Sequence, residues 1–559
     1  MQKGSYFMSH RFLQVLTCCL TCSLFFTGCS APFQHGDGDG SGYLFTAYLS
    51  ENPKNLDPQS ATDAASKTVI TNLFEGLLEQ DASGTLQCAG AASYTVSEDQ
   101  CTYTFILRDQ AYWYYDENQN DAIDSGETFP VTAYDYVFAF QRIFNPETQS
   151  PYQELFSCLQ NADAIINGSM SYTSIGVTAS SDKQLTFQLA YPSGTFLTSL
   201  TSTAAMPCSE SFFEQTKGRY GLDEQSVISN GAFYLRTWFY DPYGPDNLIY
   251  MRCNAANAAG RKISPSNLTF RLPSKKADPA DLFAKEDVDF YETAQYPDAY
   301  VSNSSYTVSA KPVVTLGLIF NPESKVFQNA SIRSGLSLCI PRSTIGADSN
   351  GDVSGAAGLI PPAVTVGGTA FREQVAEPLA SDSEEAVAQF QKGLQQLKME
   401  SLDTMQILVN TEDLDCTYLH EVTRCWQDTL GIYIGIEEVT KDQYEQRLQD
   451  GNYDLALYAL HSTENDPAGC FRQYQYAAES LNWKESASLE QQIQDLSRTT
   501  SQEAYCTACA ELEQSLLSQL YFVPIFYKNQ YLVYRSCNKS IQYDPFAQVF
   551  NFRTAQHFE

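Results

Sequence analysis

Positive charge, histidine and enzyme motifs are all scarce in this chain of 559 residues. Lys and Arg number 34 against 66 Asp and Glu, which gives a formal charge of −32. This balance excludes nucleic acid as a partner, because nucleic-acid binding requires basic surfaces, and it excludes docking on anionic lipid by charge. The five histidines form no pair at metal-ligand spacing, and no G-x-S-x-G, H-E-x-x-H or phosphate-binding loop occurs. We therefore expect a protein that is not an enzyme.

One catalytic pattern is present, and it keeps a rival interpretation open. Ser180 and Lys183 match the Ser-x-x-Lys spacing of some acyl-transfer enzymes. The pair lies in a polar turn before a predicted strand and has no partner motif. A secreted hydrolase is accordingly the main alternative from another class of protein.

Apolar runs long enough to span a membrane are also missing, and a shorter one stands at the N-terminus. Residues 12–26 are apolar, follow Lys3 and Arg11, and lead into Gly28-Cys29. This pattern looks like a bacterial lipoprotein signal, which predicts a signal peptide over 1–28 and lipidation of Cys29. Ordinary secretory cleavage is the alternative. Residues 29–42 are rich in Gly, Ser and Asp and predict a flexible tether, so acyl chains alone would hold the protein at the membrane.

Twelve cysteines remain after the signal and Cys29, an even number that permits disulfides outside the cell. Cys88 and Cys101 flank a strand–turn–strand pattern and are the expected local pair. Cys506 and Cys509 share one face of a predicted helix, where buried free thiols are the better interpretation than a metal or redox site.

Hydrophobic periodicity predicts a mixed α/β body. A helix is expected from Ala64 to Leu78, and another over 133–144 with Thr132 as its N-cap. After residue 381, helices alternate with apolar strands at 405–410, 431–439 and 453–460. That alternation is typical of an α/β lobe with a partly parallel sheet.

An ordered set of short motifs resembles the extracytoplasmic solute-binding proteins of ABC importers, family 5, the oligopeptide- and dipeptide-binding class. The matching elements are Leu56-Asp57-Pro58, Leu73-Phe74-Glu75-Gly76-Leu77, Tyr103-Thr104-Phe105, Leu107-Arg108, Trp113, Val131-Thr132-Ala133, Asp135, Ser229-Asn230-Gly231-Ala232-Phe233, Phe320-Asn321 and Val523-Pro524. They follow in the family's order over nearly the whole mature body.

The resemblance implies a periplasmic-binding-protein-like α/β fold of type II with three lobes. Domain I would comprise residues 43–74, 195–311 and 530–559, domain II residues 75–194 with an insert at 114–130, and domain III residues 312–529. A solute, in this class a peptide, would be captured between domains I and III by lobe closure and delivered to membrane permease subunits. No cofactor is required, and a monomer is expected.

The resemblance also implies the ligand-binding residues. They are Thr62, Asp63, Ala64, Ser66, Asn230, Gly231, His461, Thr463, Glu464 and Asp466. Peptide-binding members carry an aspartate four residues before Pro467, where it pairs with the peptide's ammonium group; here that position is Thr463. Either Glu464 takes this role, or the ligand has no free amine. An oligosaccharide or a metal chelate would be such a ligand.

The insert matches the twelve-residue calcium loop. Its ligand positions are filled by Asp116, Asn118, Asn120, the carbonyl of Ala122, Asp124 and Glu127. Asp121 stands where such loops carry glycine. The pattern predicts either a weak structural Ca²⁺ site or a plain solvated acidic turn.

Overall fold

The computed structural model describes residues 41–81, 84–258, 260–274, 278–347, 349–402, 404–412, 416–483 and 488–558. The predicted signal peptide, Cys29 and nearly all of the tether lie outside the described residues. Within the described ranges, no helix combines the length and the apolar character that a bilayer crossing needs.

Sheet A, the first of three main sheets, has four strands. In spatial order they are Leu44–Tyr48, Asn267–Arg271, Leu248–Cys253 and Phe233–Phe239. The first pair is parallel and the other two pairs are antiparallel. Strand residues as distant in sequence as Phe45 and Phe270 are fully buried in one core, so the beginning of the body folds only with segments more than two hundred residues later.

Sheet B has seven strands, which come from the predicted domains I and III. Its path is Phe290–Thr293, Phe522–Arg535, Tyr306–Phe320, Leu455–His461, Met405–Asn410 and Ile434–Val439, with Val353–Gly355 added beside the second strand. Met405–Asn410 is parallel to both neighbours, which confirms the expected partly parallel sheet. Two separate hydrophobic clusters contain its residues, with Leu408 in one and Ile407 in the other, as the alternation of side chains along a strand requires.

The two longest strands, Tyr306–Phe320 and Phe522–Arg535, pair with each other across the predicted boundary between domains I and III. Pro312 lies opposite Asn529, and a β-bulge follows between Pro312 and Val314. A bulge bends a strand locally. This bulge lies at the predicted boundary between domains I and III.

Sheet C is antiparallel throughout and has the order Ala91–Val96, Thr102–Leu107, Gln184–Gln188 and Val177–Ser181. The helix Ala133–Phe144 packs on it, and Thr132 is its N-cap as predicted. Short two-stranded ribbons complete the strands: Leu78–Gln80 with Leu86–Cys88, Tyr112–Tyr114 with Thr128–Pro130, Thr365–Val366 with Thr369–Ala370, Asn538–Lys539 with Gln556–His557, and Gln542–Asp544 with Val549–Asn551.

The longer helices of the remaining chain surround sheets A and B. They are Ala64–Leu73, Ala330–Leu338, Ser383–Leu397, Leu419–Leu430, Lys441–Gln449, Pro467–Ser480, Leu489–Ser497 and Gln502–Ser518. Shorter helices are Ala162–Ile166, Phe196–Ser199, Glu210–Gln215, Ala255–Ala258, Pro279–Ala284, Asp298–Val301 and Phe371–Gln374.

The first helix ends earlier than its sequence predicts. It stops at Leu73, because Phe74 adopts extended backbone and the Asn230 side chain holds both the N–H and the carbonyl of Glu75. The predicted extension to Leu78 is wrong, since residues 78–80 form a strand instead.

The expected Cys88–Cys101 disulfide is also wrong, since both thiols are free. In the hairpin of sheet C, Ala91 pairs with Leu107 and Val96 with Tyr103. Cys88 and Cys101 thus lie beyond opposite ends of the strand, roughly 15–20 Å apart, whereas a disulfide needs Cα atoms within about 7 Å. Cys506 and Cys509 are buried and free, as expected.

The motifs that carry the family resemblance contact one another. Arg142 donates two hydrogen bonds to the Asp57 carboxylate, at 2.9 and 2.5 Å. Glu75 forms ion pairs with Arg108 and Arg261. The Asp57–Arg142 and Glu75–Arg261 pairs join residues that the predicted boundaries assign to domains I and II.

Candidate ligand-binding site

The candidate site lies at the predicted boundary between domains I and III, and three segments build it. They are the start of the helix Ala64–Leu73, residues 461–466, and the hairpin tip 544–548, which together we call the seam. His461 lies opposite Val314 in sheet B, immediately beside the bulge. The chain therefore leaves the sheet at the lobe boundary and enters the helix Pro467–Ser480 there.

The hairpin reaches from one lobe into the other. Its strand Val549–Asn551 packs on the helix Ala64–Leu73, and the Asn72 side chain donates to the Phe550 carbonyl at 2.8 Å. Phe546 at its tip is buried in the hydrophobic cluster that contains Phe471 and Tyr474. The hairpin thus fixes the helix start opposite residues 461–466.

Asp63 caps the helix Ala64–Leu73. Its carboxylate accepts hydrogen bonds from the backbone N–H and the hydroxyl of Ser66, both at 2.8 Å. The Ser66 hydroxyl in turn accepts the backbone N–H of Lys54 at 3.1 Å. Ser66 is fully buried and its hydroxyl is already engaged, so it positions the helix start.

Lys67 supplies a cation to the seam. Burial lowers the pKa of its ammonium group, and the charges of Glu464, Asp63 and Asp544 act in the opposite direction. Since these carboxylates belong to three different segments, their common influence on one ammonium group shows that the folded chain brings the segments together.

Glu464 is held in a defined position at the seam. Its backbone N–H donates to the Ser462 hydroxyl at 3.1 Å, and its carboxylate forms an ion pair with Arg472. The Glu464 side chain is 44% exposed. The carboxylate therefore keeps free surface on which a second cation can bind.

Asp466 is the N-cap of the helix Pro467–Ser480. It accepts the backbone N–H of Ala468 at 2.7 Å and the hydroxyl of Tyr505 at 2.5 Å. Burial raises the pKa of Asp466 to about 6, and the nearby Glu464 charge acts in the same direction. Asp466 is thus a carboxyl group that titrates near neutral pH.

His461 presents an unused polar atom. Its Nε2 is buried, and the described residues supply it with no hydrogen-bond partner. Burial lowers the pKa of the imidazole, against the effect of the Pro545 carbonyl. Since the other ring nitrogen donates to the Pro545 carbonyl, Nε2 of the neutral imidazole carries no proton and can accept a hydrogen bond from a bound ligand.

Asp544 adds a carboxylate to the seam. Desolvation raises its pKa, and the Lys67 charge acts in the opposite direction. Four carboxylates, those of Asp63, Glu464, Asp466 and Asp544, meet there with the two cations Lys67 and Arg472, and the excess negative charge favours a cationic group on the ligand.

The structure places the other predicted ligand residues differently. Thr62 and Thr463 are exposed next to Asp63 and Glu464, and Ala64 is the first helical residue. Asn230 and Gly231 are buried against residues 73–75, where a Cβ on Gly231 would lie 2.7 Å from the Leu73 carbonyl carbon. Their role in this structure is to hold the end of the helix Ala64–Leu73.

Sequence reasoning missed Lys67, Arg472 and the hairpin tip with Asp544 and Pro545. Lys67 lies four residues after Asp63, so the helical period could have placed both on one face. Nothing local indicates the hairpin tip, because its contact with residues 461–466 joins segments about eighty residues apart.

The predicted calcium loop forms a tight turn on sheet A. The Asp116 and Glu127 carboxylates accept backbone N–H groups of the loop, and the Asn118 and Asn120 amides donate to Asp124 at 2.7 and 2.8 Å. Asp121 has a left-handed backbone with φ of 61° and pairs with Arg236 and Arg252 of sheet A. Those ion pairs give a reason for aspartate at the position where such loops carry glycine. In the part of the chain that the structure covers, no three His, Cys, Asp or Glu side chains are grouped as a metal site.

The Ser-x-x-Lys pattern of the rival interpretation lies at the hairpin between two strands of sheet C. The Lys183 ammonium group donates to the Arg108 carbonyl at 2.9 Å and approaches the Val131 carbonyl at 3.4 Å. Lys183 is therefore engaged in holding loops together.

A second contact joins the predicted domains II and III. The Gly194 N–H donates to the Ser497 carbonyl at 3.0 Å, and the Arg498 guanidinium lies 4.8 Å from the centre of the Tyr191 ring. A Cβ on Gly194 would lie 2.0 Å from the Thr499 carbonyl oxygen. The two segments touch so closely that only glycine fits.

Comparison with known proteins identifies the family. The profile described as "Bacterial extracellular solute-binding proteins, family 5 Middle" matches residues 85–482. The chain belongs to this family, whose members are solute-binding proteins. The family assignment predicted from the short motifs is confirmed.

Individual relatives are distant and carry different names. The periplasmic oligopeptide-binding protein OppA of Haemophilus influenzae is 25% identical over 496 residues, covering 86% of this chain and 87% of its own length. The dipeptide-binding protein of Lactococcus lactis is 24% identical over 420 residues, covering 72% and 73%. A probable deoxycholate-binding periplasmic protein of Escherichia coli is 23% identical over 488 residues, covering 85% and 86%.

Solved structures establish the fold. Listeria monocytogenes OppA bound to peptide aligns with a TM-score of 0.64 and 20% identity, covering 93% of this chain and 99% of the other. The Escherichia coli murein tripeptide binding protein MppA aligns with a TM-score of 0.65 and 21% identity, covering the same shares. The expected type II periplasmic-binding-protein-like fold is confirmed.

Proposed function

We propose that this protein captures oligopeptides or dipeptides outside the cytoplasmic membrane and delivers them to the permease of an ABC importer. The observation that carries the proposal is the seam, which brings together four carboxylates, two cations and the His461 Nε2 atom, for which the described residues supply no hydrogen-bond partner. A peptide offers an ammonium group to the excess negative charge and backbone groups to the imidazole. The names of several relatives support the same ligand class.

Closure of the lobes is the proposed working motion. The paired strands Tyr306–Phe320 and Phe522–Arg535 bend at the bulge after Pro312, and residues 191–194 meet residues 497–499 when the lobes are shut. Binding favours the closed form because the ligand contacts both sides of the seam at once. No bond of the ligand is made or broken in this cycle.

A second candidate ligand is a solute without a free amine. The observation in its favour is Thr463, which stands where peptide-binding members carry the ammonium-binding aspartate. The excess of carboxylates argues against an anionic solute at the seam, because like charges repel there.

The decisive experiment exposes ligand-free protein to a mixture of short peptides with free or acetylated N-termini, followed by gel filtration and mass spectrometry of retained molecules. We expect intact peptides with free amines to be retained. Equal retention of acetylated peptides would remove the ammonium-binding role, and new fragments in the mixture would identify the protein as a hydrolase instead.

We also propose that a lipidated Cys29 anchors a monomeric protein to the outer face of the membrane. The Gly- and Asp-rich residues up to 42 would then serve as the tether. A Cys29→Ser variant expressed in a bacterial host should appear in the medium, while the unchanged chain stays with the membrane fraction.

A further inference from the structure

Two cysteine sulfurs meet between two helices of the predicted domain III. Cys339 is the C-cap of the helix Ala330–Leu338, and Cys425 lies within the helix Leu419–Leu430. Their Sγ atoms are 3.4 Å apart. The Cys425 Sγ also donates to the Cys339 carbonyl at 2.9 Å, and the Cys339 Sγ approaches the Cys425 carbonyl at 3.4 Å.

Neighbouring contacts hold the two sulfurs in place. Trp426, fully buried next to Cys425, donates its indole N–H to the Leu336 carbonyl at 2.9 Å. The Cys339 N–H bonds back to the Gly335 carbonyl, as in a regular helix end. The short distance between the sulfurs is therefore set by the packing of the two helices.

We propose that Cys339 and Cys425 form an intramolecular disulfide when the protein is outside the cell. The family is extracellular, and extracellular conditions allow disulfides to form and persist. The sulfurs, now 3.4 Å apart, have to approach to about 2.05 Å for the bond to form. The link would join residues that are 86 positions apart and fasten the two helices to each other.

The reaction is thiol–disulfide exchange with a small-molecule disulfide as the oxidant. Cys425 is half-exposed and reacts first: its thiolate attacks one sulfur of the oxidant, a mixed disulfide forms, and one thiolate leaves and takes up a proton. Cys339 then loses its proton and attacks the Cys425 sulfur, the bond between Cys425 and the oxidant's sulfur breaks, and the second thiolate leaves and takes up a proton. Two protein thiols are oxidised and the oxidant is reduced to two thiols.

Burial supports this order of events. The pKa of the Cys339 thiol is raised to about 12, first by burial and then by contact with Cys425. Cys339 is therefore protonated and inert towards dissolved oxidants, and it reacts when Cys425 carries the leaving group beside it.

The test treats the full chain with oxidised glutathione, alkylates free thiols in denaturant and digests with trypsin without reductant. Cleavage after Arg333 and Arg342 and after Arg424 and Lys441 releases two peptides that each contain one cysteine. We expect these two peptides, 334–342 and 425–441, to be recovered joined and to separate on reduction. The oxidised protein should also melt at a higher temperature than the reduced protein.

Variants separate the proposed pair from chance oxidation. Cys425→Ser should abolish the joined peptides, leave Cys339 alkylated and remove the thermal difference, whereas Cys253→Ser, a half-buried cysteine of sheet A, should change neither result. The proposal fails if both peptides are alkylated after oxidation, or if glutathione stays on Cys425 while Cys339 is alkylated. The peptide-transport proposal is unaffected by either outcome.

Discussion

At the scale of single residues, the seam depends on charges that are only partly compensated. Glu464 already pairs with Arg472 and lies near Lys67, yet it is the most accessible carboxylate that residues 461–466 offer. Position 463 carries no aspartate, so Glu464, one residue further along, is the carboxylate that can take the ammonium-binding role.

Replacing Glu464 with Gln should weaken the binding of peptides with a free N-terminus. The variant leaves Arg472 without its partner beside the ligand's ammonium group, so we expect a loss on the order of 2 kcal/mol, roughly thirty-fold in Kd. Isothermal titration calorimetry measures it directly. Glu445→Gln, an exposed glutamate of the same domain, is the matched control, and equal affinity in both variants would place the ammonium group elsewhere.

Asp466 predicts a pH dependence of stability. Its folded pKa of about 6 lies above the ordinary value of 3.8, so the folded state binds the proton more tightly than the unfolded state. The resulting stabilisation is fully present below pH 3.8 and is lost as the pH rises through about 6.

Asp466→Asn keeps the helix cap and removes the charge. At pH 7 we expect the free energy of unfolding of this variant to exceed that of the parent by a value on the order of 1 kcal/mol. Below pH 4 this difference should vanish. Urea unfolding at several pH values measures the difference. If the variant is less stable than the parent by the same amount at every pH, Asn does not reproduce the cap.

At the scale of elements, sequence patterns predicted much of what the structure contains. The helices at 133–144 and 383–397 and three strands of sheet B, those at 405–410, 434–439 and 455–461, follow from periodicity and capping, which act within a few residues. The helix Ala64–Leu73 ended early because Asn230, about 155 residues away, holds Glu75. The hairpin tip at 544–548 escaped prediction for the same reason, since it meets His461 only in the folded chain.

The loop at 116–127 remains a predicted calcium site. Millimolar CaCl₂ is expected to raise the melting temperature of the protein, because the cation would replace the Asn amides around Asp124 with a stronger electrostatic partner. Asp116→Ala should remove the rise, and Glu98→Ala, an exposed acid of sheet C's hairpin, should preserve it. The loop is a solvated turn if calcium does not raise the melting temperature of the parent, or if the rise is still present in Asp116→Ala.

At the scale of the whole molecule, the predicted domains II and III touch where Gly194 meets residues 497–499. Gly194→Ala inserts a methyl group that would lie 2.0 Å from the Thr499 oxygen, so the two segments must separate. We expect the variant to show a smaller contraction with peptide in small-angle X-ray scattering and a weaker affinity.

The control for this experiment is Gly435→Ala. Its new methyl group would find its nearest neighbour at 3.6 Å, an ordinary contact. If Gly194→Ala contracts and binds like this control, the segment at 191–194 moves freely and takes no part in closure.

The bond between Gly194 and Ser497 joins two main-chain atoms, and neither of them gains or loses a proton in the physiological range. This contact is therefore independent of pH, whereas the seam contains Asp466 and His461, whose pKa values are shifted by burial. If the seam binds the ligand as proposed, a more acidic medium changes the affinity and leaves the contact at Gly194 as it is.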